Sequence, residues 1–169
     1  GLIRLHGEEA GLIGLRNISE QKRSEAAFAD EASFNARINE LTRSFLEQST
    51  LSRVLGVFLK HAREIARSPY GAVGYRDLKD DSFRTFPERS SLSAVLRERE
   101  ANLLALKEGS VIMERTEELG PILMVPSIVD GEVTGCIALS GAEEGYGKSE
   151  ILRLERICKI LALGIRRLE

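Results

Sequence analysis

The sequence is poor in residues that bind metals or act as nucleophiles. It has only two histidines and two cysteines among 169 residues. His6 and His61 fall in different predicted elements, and no Cys/His spacing suits zinc. Cys136 and Cys158 lie in apolar patterns without a C-x-x-C spacing, which indicates reduced core thiols of a cytoplasmic protein. No local Ser/His/Asp or Cys/His arrangement is visible either. We therefore expect no metal, no evident cofactor and no catalytic residue in this chain.

Two further absences bear on partners. The net charge of -2 provides no basic surface of the kind that nucleic acids or anionic membranes attract. No apolar run approaches the ~18 to 20 residues that cross a bilayer. We expect neither nucleic acid nor membrane to contact this segment. Because residue 1 begins inside an apparent strand, we also expect the chain to be a piece of a longer protein.

The N-terminal region changes character at Asn17. Two short apolar runs, "GLIRL" and "GLIGLR", flank the turn-like "HGEEAG", and this pattern predicts a β-hairpin over residues 1–17. Asn17 is a favourable N-cap residue, and Glu20 stands three residues later as in a capping box. A helix is therefore predicted over residues 18–49. Its apolar residues approximate heptad positions, which fits either a coiled coil or one amphipathic helix lying on the domain: Ala27, Phe34, Ile38, Leu41 and Phe45.

Residues 50–169 are predicted to combine helices with an antiparallel sheet. Asp130-Gly131 between two β-rich runs is a strong hairpin signal, and Pro126 in the first run indicates an edge or a bulge. The last helix has apolar residues at heptad spacing, namely Leu154, Cys158, Leu161 and Ile165. Helices and hairpins in this order predict the α+β class, with an antiparallel β-sheet flanked by helices. The predicted elements are helix 51–67, strands 70–78 and 82–86, helix 91–106, a short strand near residue 111, a hairpin over 122–141 and a helix from about 148.

From residue 50 onward the sequence resembles a GAF domain. The resemblance rests on an apolar helix running into "YGAVGYRDL", the hairpin "VPSIVDGEVTGCIALSG" and the tail "GYGKSEILRLERICKILALGIRRL". It implies a GAF-like sensory domain over 50–169, flanked by long N- and C-terminal signalling helices. The matching positions are Pro126, Asp130, Gly131, Gly135, Tyr146, Glu150, Leu154, Glu155 and Ile165.

The stretch "GLIGLRNISEQKRSEAAF" looks like the end of a PAS domain. In that family a last strand closes with a "DITE-x-KR-x-E" motif and runs into a signalling helix. Here Asn17 replaces the usual Asp and Ser19 replaces the usual Thr. The resemblance implies that residues 1–17 are a PAS remnant and 18–49 a linker helix. It also implies that a PAS domain and an output domain are covalently linked to this segment.

The GAF resemblance implies a pocket between the sheet and a covering helix. The cyclic-nucleotide signature "NK-x-x-F-x-x-x-DE" is absent, because Asn102 is followed by Leu103. A different, unknown small molecule fits the resemblance, with Arg84 and Ser127 as its polar contacts. The alternative is that these side chains fill a core without a ligand. The candidate pocket residues are Tyr75, Arg84, Phe86, Val111, Met113, Val125, Ser127 and Ala138.

These resemblances imply a non-enzymatic, signal-sensing module of a larger protein, such as a two-component sensor histidine kinase or a cyclic-di-GMP enzyme. The module would relay signals through a homodimer of its terminal helices. One alternative is a ligandless dimerisation spacer. Another is a redox enzyme using Cys136, whose apolar neighbours instead predict an unreactive thiol. The candidate dimer residues are Phe34, Ile38, Leu41, Phe45, Leu154, Cys158, Leu161 and Ile165.

Overall fold

The computed structural model describes residues 2–47, 50–107 and 110–168, with the backbone alone over 2–16. The chain divides into two compact units at Glu40/Leu41. Among the described residues, no helix is both long enough and apolar enough to cross a membrane.

The first element is a single long helix, α1, spanning Leu2–Glu47. The hairpin predicted over residues 1–17 is therefore wrong for residues 2–17, and Asn17 does not cap a helix but lies inside one. A lone hairpin is marginal in water because it needs a sheet to pack against. A helix instead satisfies its backbone hydrogen bonds within its own segment, although each glycine in its interior costs about 1 kcal/mol relative to alanine. The helix predicted from residue 18 is confirmed up to Glu47.

The second helix leads into the first two strands. Helix α2, Leu51–Ala66, ends just before Arg67, which has a left-handed backbone with φ of 50° and caps the carbonyl oxygens of Arg63 and Glu64. The single helix predicted over 91–106 is divided at Arg99 into two short helices. Ser90 caps the first of these, because its Oγ accepts a hydrogen bond from the Ser93 amide at 3.0 Å. The bounds are α2 Leu51–Ala66, β1 Tyr70–Arg76, β2 Phe83–Phe86, α3 Ser91–Glu98 and α4 Glu100–Leu104.

The C-terminal part contains the predicted hairpin and last helix, and both are confirmed. Asp130 and Gly131 form the tight turn, with φ of 53° and 83°, as a two-residue hairpin with right-handed twist requires. Pro126 in strand β4, Gly120–Val129, lies beyond residues 120–124, which pair with strand β3, Ile112–Thr116, and it is next to a register shift at Ser127/Ile128. The bounds are β3 Ile112–Thr116, β4 Gly120–Val129, β5 Glu132–Ser140 and α5 Lys148–Leu168.

The five strands form one antiparallel sheet in the order β2-β1-β5-β4-β3, which confirms the predicted α+β class. Cross-strand pairing assigns each side chain to a face, because neighbours along a strand point to opposite sides. The row Ala72, Ala138 and Met124 faces α3 and α4, and we call this side the α3 face. The next row, with Val73 and Ile137, faces α2 and α5, and we call this side the α5 face.

Candidate functional site

The eight predicted pocket residues do not line one cavity. Strand pairing places Tyr75, Arg84, Phe86, Met113, Val125 and Ser127 on the α5 face, whereas it places Ala138 on the α3 face. Val111 precedes β3. Because the sheet itself separates the two faces, a single pocket cannot include all eight.

Ser127 already has a structural hydrogen bond. Its side chain is fully buried, and its Oγ donates to the carbonyl oxygen of Cys158 in α5 at 2.6 Å. The Cys158 thiol in turn lies 3.7 Å from the carbonyl oxygen of Val125. These contacts attach the middle of α5 to β4. The Ser127 hydroxyl therefore fixes a helix on the sheet in this structure.

Arg84 is the other predicted polar contact, and it lies in a charged cluster at the β1–β2 turn. Its Nη2 is 2.9 Å from a carboxylate oxygen of Asp77 and 2.8 Å from one of Asp80. The side chain is 49% exposed. Hydrogen bonds from the Ser82 hydroxyl and amide, and then from Arg84, lower the pKa of Asp80 to about 2. Arg84 thus closes a turn at the sheet edge.

The middle of the α3 face is filled by side chains. Leu92, Leu96 and Leu103 from α3 and α4 pack against Ala72, Met124, Cys136 and Ala138 of the sheet. Phe83 reaches over Gly74, where an added Cβ would collide with its ring. Close packing of this kind favours the alternative that the predicted pocket region is a core.

A cavity does open at the end of this face, beside the first turn of α3. Its volume is about 530 Å³, within the range of ~300 to 1,000 Å³ that is usual for small-molecule sites. Strand β2 pairs with Val73–Arg76, and no other described strand covers the start of β1 on that side. We call this opening the α3 cavity; its walls include residues 90–92, Arg63, Pro69, Tyr70, Glu118 and Leu119.

A buried hydroxyl lies on the α3 face, and it is not among the residues that line the α3 cavity. Ser140 is fully buried, and its Oγ has no hydrogen-bond partner among the residues that the structure describes. Ser140 pairs with Tyr70 on one side and Ile122 on the other, and Ile122 pairs with Glu114. These four residues therefore form one row on the α3 face. Within the described parts, Glu114 Oε1 is also buried and unpartnered, whereas its Oε2 accepts from Arg99 at 3.3 Å.

The sequence did not indicate this cavity. Its polar residues come from α2, α3 and the turn between β3 and β4, so no linear motif records their proximity. The sequence indicates one part of it, the start of helix α3, because Ser90 is a favourable cap residue directly before an apolar helix.

Both cysteines are buried free thiols, as predicted. Burial raises the pKa of Cys136 to about 12, although a backbone hydrogen bond with Gly74 opposes the shift. Burial is also the main cause that raises the pKa of Cys158. Because the thiolate is the nucleophile, both cysteines are protonated and unreactive at neutral pH. In the described parts of the chain, no three histidine, cysteine or acidic side chains converge as metal ligands do.

The candidate dimer residues are mostly buried within a single chain. Leu41, Phe45, Leu154, Cys158, Leu161 and Ile165 are at most 7% exposed, and all belong to the second unit. Phe34, in the first unit, is buried as well, and Ile38 is half-buried. The heptad spacing of α5 therefore describes the stripe that packs on the sheet. The large apolar side chains that α5 exposes are Leu152 and Leu163.

Solved GAF domains have the same fold. A GAF domain of a putative sensor histidine kinase from Pseudomonas syringae pv. tomato matches with a TM-score of 0.59 at 15% identity, over 83% of this chain and 92% of that one. The GAF domain of an Acinetobacter phosphoenolpyruvate-protein phosphotransferase matches with a TM-score of 0.55 at 10% identity, over 78% and 92%. The bacteriophytochrome RpBphP3 from R. palustris matches with a TM-score of 0.57 at 11% identity, over 82% and 38%. No family model matches the sequence, and no curated protein does. The chain therefore has a GAF-like fold.

Proposed function

We propose that this chain is a regulatory, signal-sensing module of a larger signal-transduction protein. The GAF-like fold supports the proposal, since one similar structure comes from a putative sensor histidine kinase. The larger protein would be a sensor histidine kinase or a cyclic-di-GMP enzyme. The sequence likeness of residues 11–28 to the end of a PAS domain adds a preceding PAS domain to the proposal. The helical structure of residues 2–17 does not support a preceding PAS domain, because that family ends in a strand at this position.

The observation that carries the proposal is a contact between the ends of two helices. The ring of Phe45, in the last turn of α1, packs against Gly164 of α5 so closely that a Cβ there would overlap it. Arg167, one turn further along α5, donates to the Phe45 carbonyl oxygen at 2.7 Å. A signal that reaches the end of α1 can therefore change the packing of α5, provided that α5 has two packing arrangements of similar free energy.

A fusion experiment tests the relay. The chain is joined through Leu168, in helical register, to the dimerisation and catalytic domains of a histidine kinase, and autophosphorylation is measured. If α5 relays a signal, Arg167→Gln will change the rate severalfold while the circular dichroism spectrum stays that of the unsubstituted fusion. Arg166→Gln, which removes only the exposed contact with Asp130, is the matched control. Equal rates for all three fusions would contradict the relay.

A ligandless spacer is the alternative function, and the filled α3 face favours it. The apolar cluster there packs side chain against side chain, and Ser127 and Arg84 make internal contacts. A spacer would hold its neighbours at a fixed distance, so the fusion would have the same activity with and without substitutions along α5.

We further propose that the module acts as a homodimer through its terminal helices. Since the heptad stripe of α5 is buried, the exposed Leu152 and Leu163 provide the apolar surface on that helix. Sedimentation of the isolated chain should show a dimer that Leu163→Glu weakens. Leu78→Glu, which changes an exposed leucine at the β1–β2 turn, should leave it unchanged. A monomer at every concentration would remove the dimer from the proposal.

A further inference from the structure

We propose that the outer surface of helices α2 and α5 binds a bilayer that contains anionic lipids. This surface goes beyond the relay function, and its binding can be measured on this chain without any output domain. We call it the basic face, and its central residues are Arg53, Lys60, Leu152, Arg156, Lys159 and Leu163, all of which are exposed.

The charges of the chain are unevenly distributed between its elements. Residues 51–67 and 148–168, which form α2, its cap and α5, contain ten basic and three acidic residues, a net charge of +7. Because the whole chain has a net charge of -2, all other residues together have a net charge of -9. The net charge from which we expected no membrane contact therefore hides a strongly basic layer on one side of the sheet.

The basic side chains of this layer point to solvent. Nine of the ten are exposed, and the tenth, Arg153, is half-buried. Of the three acidic side chains, Glu64 is exposed, whereas Glu150 and Glu155 are half-buried. Helices α2 and α5 pack against each other on the α5 face of the sheet, so their cations belong to one surface. Such a surface attracts an anionic partner.

Two leucines give the basic face an apolar part. Leu152 is 61% exposed and Leu163 is 62% exposed. They are eleven residues apart, which is three helical turns, so they lie in one line about 16 Å apart. Arg156 and Lys159 are exposed between them. Leucines among lysines and arginines are typical of a helix surface that lies in a membrane interface, where the cations reach the headgroups and the leucines reach the acyl chains.

A bilayer fits the cations of both helices at once. A second α5 or a single acidic helix would cover the leucines, but it would leave Arg53 and Lys60 of α2 at the side of the contact. A flat anionic layer meets both helices, because they lie side by side on one sheet and the 21 residues of α5 extend over about 31 Å. Each lysine or arginine near an anionic leaflet strengthens binding about fivefold.

Vesicle co-sedimentation with the 169-residue chain tests the proposal. One set of vesicles contains one third phosphatidylglycerol in phosphatidylcholine, and the other contains phosphatidylcholine only. We expect saturable binding to the anionic vesicles, at least about tenfold tighter than to the neutral ones. Raising the ionic strength from about 0.1 to about 1 M shortens the screening length from ~10 to ~3 Å and should weaken the binding about tenfold or more.

Lysine substitutions test the cations. Lys60→Gln combined with Lys159→Gln removes one cation from each helix and should weaken binding to the anionic vesicles about tenfold or more. Lys79→Gln combined with Lys107→Gln is the matched control. It makes the same change of charge at two exposed positions outside both helices, so it should bind within about twofold of the unsubstituted chain.

Leucine substitutions separate a bilayer from other polyanions. Leu152→Ala and Leu163→Ala should each weaken vesicle binding about threefold or more, because less apolar area leaves water. Leu78→Ala, which changes an exposed leucine at the β1–β2 turn, should leave it unchanged. Poly-L-glutamate is an acidic polypeptide without an apolar phase, so it should bind more weakly than the anionic vesicles and with equal affinity to all three variants.

The proposal is overturned if the chain binds neither kind of vesicle or binds both equally. It is also overturned if the lysine or leucine variants bind as tightly as their controls while the circular dichroism spectra agree. Poly-L-glutamate binding as tight as that of the anionic vesicles would overturn the bilayer and assign the basic face to an acidic protein. None of these results bears on the relay or on the homodimer, which also uses Leu163, because the kinase fusion and the sedimentation of the isolated chain are measured without lipid.

Discussion

Arg167 of α5 donates a hydrogen bond from Nη1 to the carbonyl oxygen of Phe45 at 2.7 Å. Phe45 lies in the last turn of α1, where the carbonyl groups receive no hydrogen bond from an amide of the same helix. The arginine therefore satisfies one of them and places a cation at the negative end of α1. The ring of the same phenylalanine lies 6.3 Å from that of Phe58 in α2. Three helices thus meet at one side chain.

This junction predicts that Gly164→Ala destabilises the chain. A Cβ at Gly164 would overlap the Phe45 ring, and added volume in a packed core costs about 1 to 3 kcal/mol of the free energy of unfolding. Urea denaturation followed by circular dichroism measures the change. Gly56→Ala in α2 is the matched control, because a Cβ there would lie 3.8 Å from Phe86.

The control should have the opposite sign. Alanine has a higher helix propensity than glycine, so Gly56→Ala should stabilise the chain by about 0.5 to 1 kcal/mol. If Gly164→Ala is as stable as the unsubstituted chain, Phe45 does not pack against α5 as described.

The β1–β2 turn predicts a carboxyl group with an unusually low pKa. The Ser82 hydroxyl and amide and the Arg84 guanidinium lower the pKa of Asp80 from 3.8 to about 2. Because the folded pKa is the lower one, the stabilisation is present above pH 3.8 and is lost as the pH falls through 2. Carbon-detected NMR titration of the side-chain carboxyl should give a midpoint near 2. Ser82→Ala, which removes the largest cause, should return it toward 3.8; an unshifted midpoint in the unsubstituted chain would contradict the turn geometry.

Local signals predicted the elements of the second unit well. Asp130-Gly131 and the heptad spacing from Leu154 each depend on a few adjacent residues, and each corresponds to an observed turn or helix. The N-terminal hairpin prediction was wrong because short apolar runs with glycines fit two structures. Among the residues that the structure describes, no strand pairs with residues 2–17, and the helix satisfies their backbone hydrogen bonds within the segment itself.

The site was harder to predict because it depends on which sheet face a residue occupies. Ser127 and Ala138 are both buried strand residues, and only the pairing register shows that they lie on opposite faces of the sheet. A shift of one residue exchanges the faces of a strand. The α3 cavity joins Arg63 to Glu118, 55 positions apart, and sequence spacing carries no record of that proximity.

The buried thiols predict slow labelling. Because burial raises the pKa of Cys136 to about 12, its thiolate population at pH 8 is about 10⁴-fold below the thiol population. A disulfide reagent should react with both cysteines at full rate in guanidinium chloride and at most at the rate of unfolding in buffer. Fast labelling of Cys136 in the folded chain would contradict its burial and would support the alternative that the chain is a redox enzyme using Cys136.

Two buried serines predict opposite effects of the same substitution. Ser127 Oγ donates to the Cys158 carbonyl oxygen at 2.6 Å, whereas Ser140 Oγ has no partner among the described residues. Ser127→Ala removes a made hydrogen bond and leaves a buried carbonyl group without it, so it should lower the free energy of unfolding by about 1 to 3 kcal/mol. Ser140→Ala removes an unpaired hydroxyl, so it should leave stability unchanged or raise it.

Thermal and urea denaturation of the two variants, without added ligand, make the comparison. Both residues are fully buried in neighbouring strands and lose the same atom, so the transfer and cavity contributions largely cancel between them. The difference in unfolding free energy then reports the hydrogen bond from Ser127 to α5 together with the unpaired state of Ser140. Equal destabilisation by both substitutions would show that Ser140 has a partner in the folded chain.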